Sequence, residues 1–382
     1  MVIRFFHAAD LHLESPFAKI QSMPEHWQQR IRNASFGAFD SFVQDAITNK
    51  PDFILLAGDI YDGETRSLRA QAYFQKAMET LAQYDIPVYI IHGNHDHLAG
   101  NWTRFKLPPN VTIFGETPES YELEIDGKVV QISGFSYPRR HLPESYIEKY
   151  PPRKSYADYA IGLLHGSEQT QQEHDVYAPF TLEQLRQTSY DYWALGHIHK
   201  RQQLSTKPTI AYAGTLQGRN RKEQGVQGYY HVELSNGEPT LTFQKASQVV
   251  FDEIEVVFES TASIDHFQEQ LIKALEPKTD HIYTLVQVTI KTPKEDWMLT
   301  TNENELREFI LEQVNQAIQT VYITHLNLHW TTELDPAFQQ LMNQFALPTI
   351  PTAMQQVLDS STLEDQVKER MHAILTDRSG GQ

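Results

Sequence analysis

Apolar segments of this chain repeatedly end in metal-ligand side chains. Residues 87–93, PVYIIHG, run straight into Asn94, His95 and Asp96. Residues 2–8, VIRFFHA, lead to Asp10 and His12, and residues 52–58, DFILLAG, lead to Asp59 and Asp62. Residues 159–166, YAIGLLHG, carry His165 near their end, and residues 190–199, YDYWALGHIH, finish on His197 and His199. A strand that stops at a small residue and then presents amides, imidazoles and carboxylates delivers polar groups to one point. In open α/β sheets, ligands bind beyond the carboxyl ends of the strands. Five such ends point to a fold in which several strands open on one edge.

The spacing between them supports this. Residues 24–49 read as a helix, with Trp27, Ile31, Phe39, Phe42, Val43 and Ile47 on one side, and residues 66–84 as a second. With the first three strands this makes βαβαβ, hence a largely parallel sheet with helices outside. The later strands, at 129–135, 159–166, 190–199 and 209–214, have few helices between them, so a second, more antiparallel sheet is expected. The sum is an α/β (α+β) chain built as a two-sheet sandwich flanked by helices. Residues 251–330 repeat the βαβαβ pattern and read as a separate small domain. Residues 337–377 look helical, with breaks at Pro348 and Pro351. Leu363, Val367, Met371, Ile374 and Leu375 line one side there. The expected domains are 1–250, 251–332 and 333–382.

Composition limits the chemistry. There is no cysteine, so a thiolate zinc site and a cysteine nucleophile are excluded. The net charge is −17, unevenly spread: residues 251–382 hold 21 acids and 8 bases, a net of −13, against −4 for residues 1–250. Such a chain is a poor nonspecific DNA binder by itself. The N-terminal segment lacks the pattern of a secretory signal, and no apolar run is long enough to span a bilayer, so a soluble cytoplasmic protein with no membrane partner is expected.

Asp-x-His on extended backbone sends both side chains to one face, and the same holds for His197-x-His199. Asp59 has two oxygens and can bridge two cations. A mixed Asp/His/Asn set without sulfur suits Mn, Fe or Zn better than Ca. Two such ions roughly 3.5 to 4 Å apart clamp a phosphoryl group and generate a nucleophile at neutral pH. His7, His92 and His97 read as structural or supporting residues.

This ordered set resembles the calcineurin-like metallophosphoesterase superfamily: Asp-x-His, Gly-Asp-x-x-(Asp/His), Gly-Asn-His-(Asp/Glu), an isolated His, then Gly-His-x-His, across residues 1 to about 215. The resemblance implies a four-layer αββα sandwich and two divalent metal ions, Mn foremost. Asp10, His12, Asp59 and His199 would bind one, and Asp59, Asn94, His165 and His197 the other. It also implies that His95 acts on the scissile phosphate and that Asp96 orients His95.

The stretches FFHAADLHLESPF and AYAGTLQGRNRKEQGVQGYYHVEL resemble, more loosely, the DNA repair exonuclease group (SbcD- and YhaO-like). That group implies a small α/β capping domain and C-terminal helices that grip an SMC-like ATPase of the SbcC or YhaN type. It implies a homodimer and DNA as substrate, cut by a 3′–5′ exonuclease with endonuclease action as a second mode. Archaeal and eukaryotic relatives carry His where Asp62 stands, which puts a carried-over acid/base role for Asp62 in doubt. Arg219, Arg221 and Lys222 are candidates for a phosphate backbone. The alternative within the same chemistry is a protein phosphatase or a cyclic-nucleotide phosphodiesterase, which usually lack such a C-terminal extension.

Overall fold

The computed structural model describes residues 2–15, 23–63, 66–100, 105–169, 177–235, 238–276, 283–294, 296–299 and 302–331. The helices expected over 337–377 lie outside the described residues. The first half alternates as its periodicity dictates: β1 (Ile3–Ala8), α1 (Glu25–Asn49), β2 (Phe53–Ala57), α2 (Leu68–Ala82), β3 (Val88–Ile91) and β4 (Val111–Ile113). Ser67 starts α2 by accepting the Ala70 N–H at 2.9 Å, satisfying one of the orphan donors of its first turn. The second half adds β5 (Glu119–Ile125), β6 (Lys128–Gly134), β7 (Tyr159–His165), α3 (Leu182–Gln187), β8 (Tyr192–Gly196), β9 (Gln202–Thr206), β10 (Thr209–Tyr212), β11 (Gly228–Ser235) and β12 (Glu238–Lys245).

Two six-stranded sheets result, ordered β12-β11-β1-β2-β3-β4 and β5-β6-β7-β8-β10-β9. The second sheet is not the more antiparallel one. Its centre, β6-β7-β8-β10, is parallel, and only the β5-β6 and β10-β9 pairs at its two edges are antiparallel. Its crossovers run largely through irregular chain, so scarcity of helices does not mean hairpins. The β11-β12 pair extends the first sheet, with Ile3 opposite Leu234.

Between the sheets lies a core of Phe5, Phe53, Leu55, Ile91, Ile132, Leu163 and Tyr192. Phe5 and Phe53 stack at 4.9 Å. Helices α1 and α2 cover the outside of the first sheet through Phe39, Phe42, Phe74 and Met78. The outside of the second sheet is covered by α3, a short 3-10 turn at Ile147–Lys149 and irregular chain bearing Phe135, Tyr146 and Tyr150. This is the four-layer sandwich, with a thin fourth layer.

Residues 249–331 form a third sheet: β13 (Val249–Val257), β14 (Tyr283–Pro293) and β15 (Val321–Thr331), all parallel, with α4 (Ile264–Leu275), α5 (Asp296–Leu299) and α6 (Glu303–Ala317) between strands. The expected boundary at 250/251 falls inside β13. The N-terminal part of α1 anchors this sheet: Trp27, Ile31 and Ala34 pack on Val249 and Leu285. Arg30 lies over the Tyr283 ring at 3.7 Å. Among the described residues no helix is long and apolar enough to cross a membrane.

His7 is fully buried between the sheets. Its Nε2 lies 3.2 Å from the Leu195 carbonyl, which can only accept, so Nδ1 accepts the Tyr192 hydroxyl at 2.8 Å. Burial pushes its pKa down to about 3. The folded state therefore prefers neutral His7, whereas the unfolded chain takes up a proton near pH 6.5. Its stability contribution is present above pH 6.5 and falls by about 1.4 kcal/mol per pH unit below it, until pH 3. A His7→Gln chain is expected to take up about one proton fewer on unfolding at pH 5.5 than the natural chain. Equal uptake would mean that His7 is not the neutral core histidine described.

Candidate metal centre

Strand ends β1, β2, β3, β7 and β8 converge on one edge of the sandwich. The β1–β2 ladder continues past its strands, with Asp10, His12 and Leu13 N–H donating to the carbonyls of Gly58, Asp59 and Ile60, each at 3.0 Å. The two sheets touch where Gly196 ends β8: a Cβ there would stand 1.9 Å from the Ala57 carbonyl oxygen. Asp10, His12, Asp59 and His197 all have positive φ, of 51°, 41°, 51° and 95°. They are therefore not extended, and the alternation expected of Asp10-x-His12 and His197-x-His199 is not what aligns them. Left-handed turns at each strand end do so. Non-glycine residues held there store strain of about 1 to 3 kcal/mol each, which the surrounding contacts must hold in place. Asp10 is so held: its carboxylate accepts the His197 N–H at 3.1 Å and its carbonyl accepts the Thr215 hydroxyl at 2.7 Å.

The side chains form two adjoining donor groups. In one, His12 Nε2 lies 3.1 Å from His199 Nε2 and 3.8 Å from Asp59 Oδ2, and His199 Nε2 lies 3.9 Å from Asp10 Oδ1. In the other, the Asn94 side-chain oxygen sits 3.0 Å from His165 Nε2 and 3.1 Å from His197 Nδ1. His165 Nε2 also lies 3.4 Å from Asp59 Oδ2. One Asp59 oxygen thus stands between both groups, while Oδ1 accepts the His95 N–H at 3.0 Å.

Partners behind the ligands fix their tautomers. His165 Nδ1 donates to the Ala57 carbonyl at 3.0 Å. His199 Nδ1 lies 2.8 Å from Glu223. That carboxylate stays ionised, since although burial raises its pKa, His199 and Arg219 hold it down to about 2. An ionised carboxylate only accepts, so Nδ1 carries the proton and Nε2 aims a lone pair inward. Burial, then the Arg219 charge, pushes His12 down to about 3, so it is a neutral imidazole. Two such nitrogens at 3.1 Å need a proton or a cation between them. Burial raises the Asp10 carboxyl above its ordinary range. Burial also opposes charge on Asp59 and His165, but their mutual attraction wins, lowering the acid and raising the base. A proton on His165 neutralises this cluster when no metal ion does. Oxygen and nitrogen donors, deeply buried and convergent, fit hard or borderline divalent cations.

The sequence model of calcineurin-like phosphoesterases matches residues 3–201. The chain belongs to the calcineurin-like phosphoesterase family. Members of this family use divalent metal ions, and the donor set found here fits them. Among relatives of this phosphoesterase, a Bacillus subtilis protein described as the uncharacterized metallophosphoesterase YhaO is 37% identical over 369 residues, covering 95% of this chain and 88% of the relative. The DNA double-strand break repair protein Mre11 of Archaeoglobus fulgidus is 28% identical over 258 residues, 61% of this chain and 54% of the relative. A subunit of the nuclease SbcCD of Escherichia coli K12 is 26% identical over 277 residues, 62% of this chain and 66% of the relative. These relatives support the likeness to the DNA repair exonuclease group.

In this phosphoesterase the seven expected ligands gather at one point, and His95 stands beside them. Asp96 corrects the expectation set for it. Its carboxylate turns away from His95 and accepts the N–H groups of Gly93 at 2.7 Å and Ile60 at 2.9 Å, with His92 Nδ1 at 2.9 Å. It braces the loop. The carboxylate on His95 is Asp62, 3.1 Å from Nδ1, which also receives the Ser15 hydroxyl at 2.6 Å. Hydrogen bonding to Asp62 raises the His95 pKa. Arg219 is not free for a substrate: its guanidinium reaches Ser15 at 3.3 Å, Asp62 at 3.5 Å and Glu223 at 3.6 Å. Arg221 is exposed and is not part of the cleft over the metal centre. Ser15 and Glu223 are additions to the expected site, and nothing in the local sequence marks them.

Proposed function

We propose that this phosphoesterase is a DNA nuclease, a Mn-dependent 3′–5′ exonuclease with endonuclease action as a second mode. The observation that carries the reading is the closed set of seven oxygen and nitrogen donors with a carboxylate-braced histidine at its rim. Likeness to Mre11 and to the SbcCD nuclease supports DNA as the substrate. Asp10, His12, Asp59 and His199 would hold one divalent ion, and Asp59, Asn94, His165 and His197 the other. Such ions, when bound, supply Lewis acidity and an activated nucleophile at neutral pH.

The chain's own part is positioning and proton control. Asp62 aligns His95 and favours its charged form, so that the ring can donate to the leaving oxygen or stabilise charge on the phosphate. Glu223 and the Ala57 carbonyl hold His199 and His165 in the required tautomers. Residues 1–250 would form the nuclease domain and 251–332 a capping domain. The acidic region 333–382 would dock an SMC-like ATPase, consistent with a relative that is itself one subunit of a nuclease. A homodimer through the nuclease domain completes the proposal.

End-labelled linear duplex DNA incubated with the purified protein and Mn is expected to shorten progressively from its 3′ ends. Turnover of bis-p-nitrophenyl phosphate without any cleavage of DNA, alone or with the ATPase present, would reject the nuclease reading and keep only the metal chemistry.

A further inference from the structure

A cleft of about 920 Å³ lies over the metal centre, with Asp59, Asn94, His95, His197 and His199 among its lining. That is near the upper end of the range for a site taking one small ligand. Its lining also contains Arg140, Lys200, Arg201 and Lys222. The two acids there are already engaged, Asp59 between the ligand groups and Glu223 on His199. Arg201 is held over the Phe243 ring at 3.4 Å. Lys200 and Lys222 are exposed and form no ion pair among the described residues.

Each lysine is tied to the centre by a single peptide bond. Lys200 follows the ligand His199, and Lys222 precedes Glu223, which fixes that ligand. On a chain of net charge −17, a polyanion is repelled at range, so it must be held by local cations. An isolated phosphodiester presents only the phosphate that the metal centre takes. Further unpaired cations beside that centre match a substrate with further phosphates.

We infer that Lys200 and Lys222 bind the phosphates flanking the scissile one on a polynucleotide strand, and so set a preference for polynucleotides over isolated phosphodiesters. The inference rests on the nuclease reading of the site. Contacts of this kind fix register and carry no base specificity.

The test is the K200Q/K222Q variant of the full chain. In a His95→Ala background, its Kd for a labelled single-stranded DNA oligonucleotide is expected to rise about tenfold, and the slope of log affinity against log salt to flatten by about 1.4, from two lost contacts. With His95 present, kcat/KM on that oligonucleotide should fall at least about tenfold more than kcat/KM on bis-p-nitrophenyl phosphate. Equal losses on the two substrates, or an unchanged Kd and salt slope, overturn the inference. So does a natural chain that binds no oligonucleotide. A chain that binds the oligonucleotide through both lysines yet never cleaves it, while still turning over bis-p-nitrophenyl phosphate, sinks the nuclease reading, and the flanking role falls with it.

Discussion

A His95→Ala chain is expected to keep its bound metal and to turn over phosphodiesters at least about 100-fold more slowly than the natural chain. The two halves of this result come from different atoms of one residue. What His95 gives the ligand set is its backbone N–H, which donates to Asp59 Oδ1 at 3.0 Å and survives the substitution. What it gives the reaction is its imidazole, held by Asp62 and part-exposed at the cleft. Asp62 keeps the ring charged more readily than a free histidine. An Asp62→Asn chain should therefore show an intermediate rate, with the alkaline limb of the kcat profile, where His95 loses its proton, moved to lower pH. Metal counted by mass spectrometry and kcat on bis-p-nitrophenyl phosphate check both halves. If metal leaves with the imidazole, His95 is a ligand, and the assignment of roles at this rim fails.

Much of this centre is legible in the sequence because its candidate donor side chains stand at strand ends, and strand ends are local. The apolar run Val88–Ile91 can only be a buried strand, so Asn94 and His95 have to emerge at its carboxyl end. Partners that act across the fold leave no such trace. Glu223 lies 24 residues from His199, in a loop whose composition reads as an ordinary charged turn. The part expected of Asp96, orienting His95, falls to Asp62 for a conformational reason. The turn after β3 closes on itself when Asp96 accepts the Gly93 N–H, which leaves that carboxylate facing inward. The second sheet departs from expectation because its parallel crossovers are not helices: the chain between β6 and β7 is mostly irregular.

Gly93→Ala should remove most of the function of this centre with a single added methyl. The Cβ it introduces would stand 2.3 Å from Asp59 Oδ1 and 2.6 Å from His165 Nε2, far inside contact distance. Neither neighbour can retreat cheaply. Both are buried, Asp59 Oδ1 is anchored by the His95 N–H, and His165 is pinned from behind by the Ala57 carbonyl. The loop cannot easily retreat either, because Asp96 ties the Gly93 N–H and the Ile60 N–H to one carboxylate. The methyl therefore displaces His165 Nε2 and the Asp59 carboxylate, whose other oxygen stands between the two donor groups. The variant is expected to lose most of its bound metal and its phosphodiester turnover, and to melt lower even in chelator, destabilised by the about 1 to 3 kcal/mol that overpacking a buried site costs, while its far-UV dichroism stays close to that of the natural chain. Gly63→Ala provides the contrast. Gly63, unlike Gly93, has a positive φ, of 82°, and nothing lies within 4 Å of an added Cβ. Only the conformational cost remains there, about 1 kcal/mol, and metal content should be unchanged. Full metal occupancy in Gly93→Ala would mean that the ligand groups are looser than their packing indicates. The close approach of Asp59 and His165 to Gly93 would then lose its meaning.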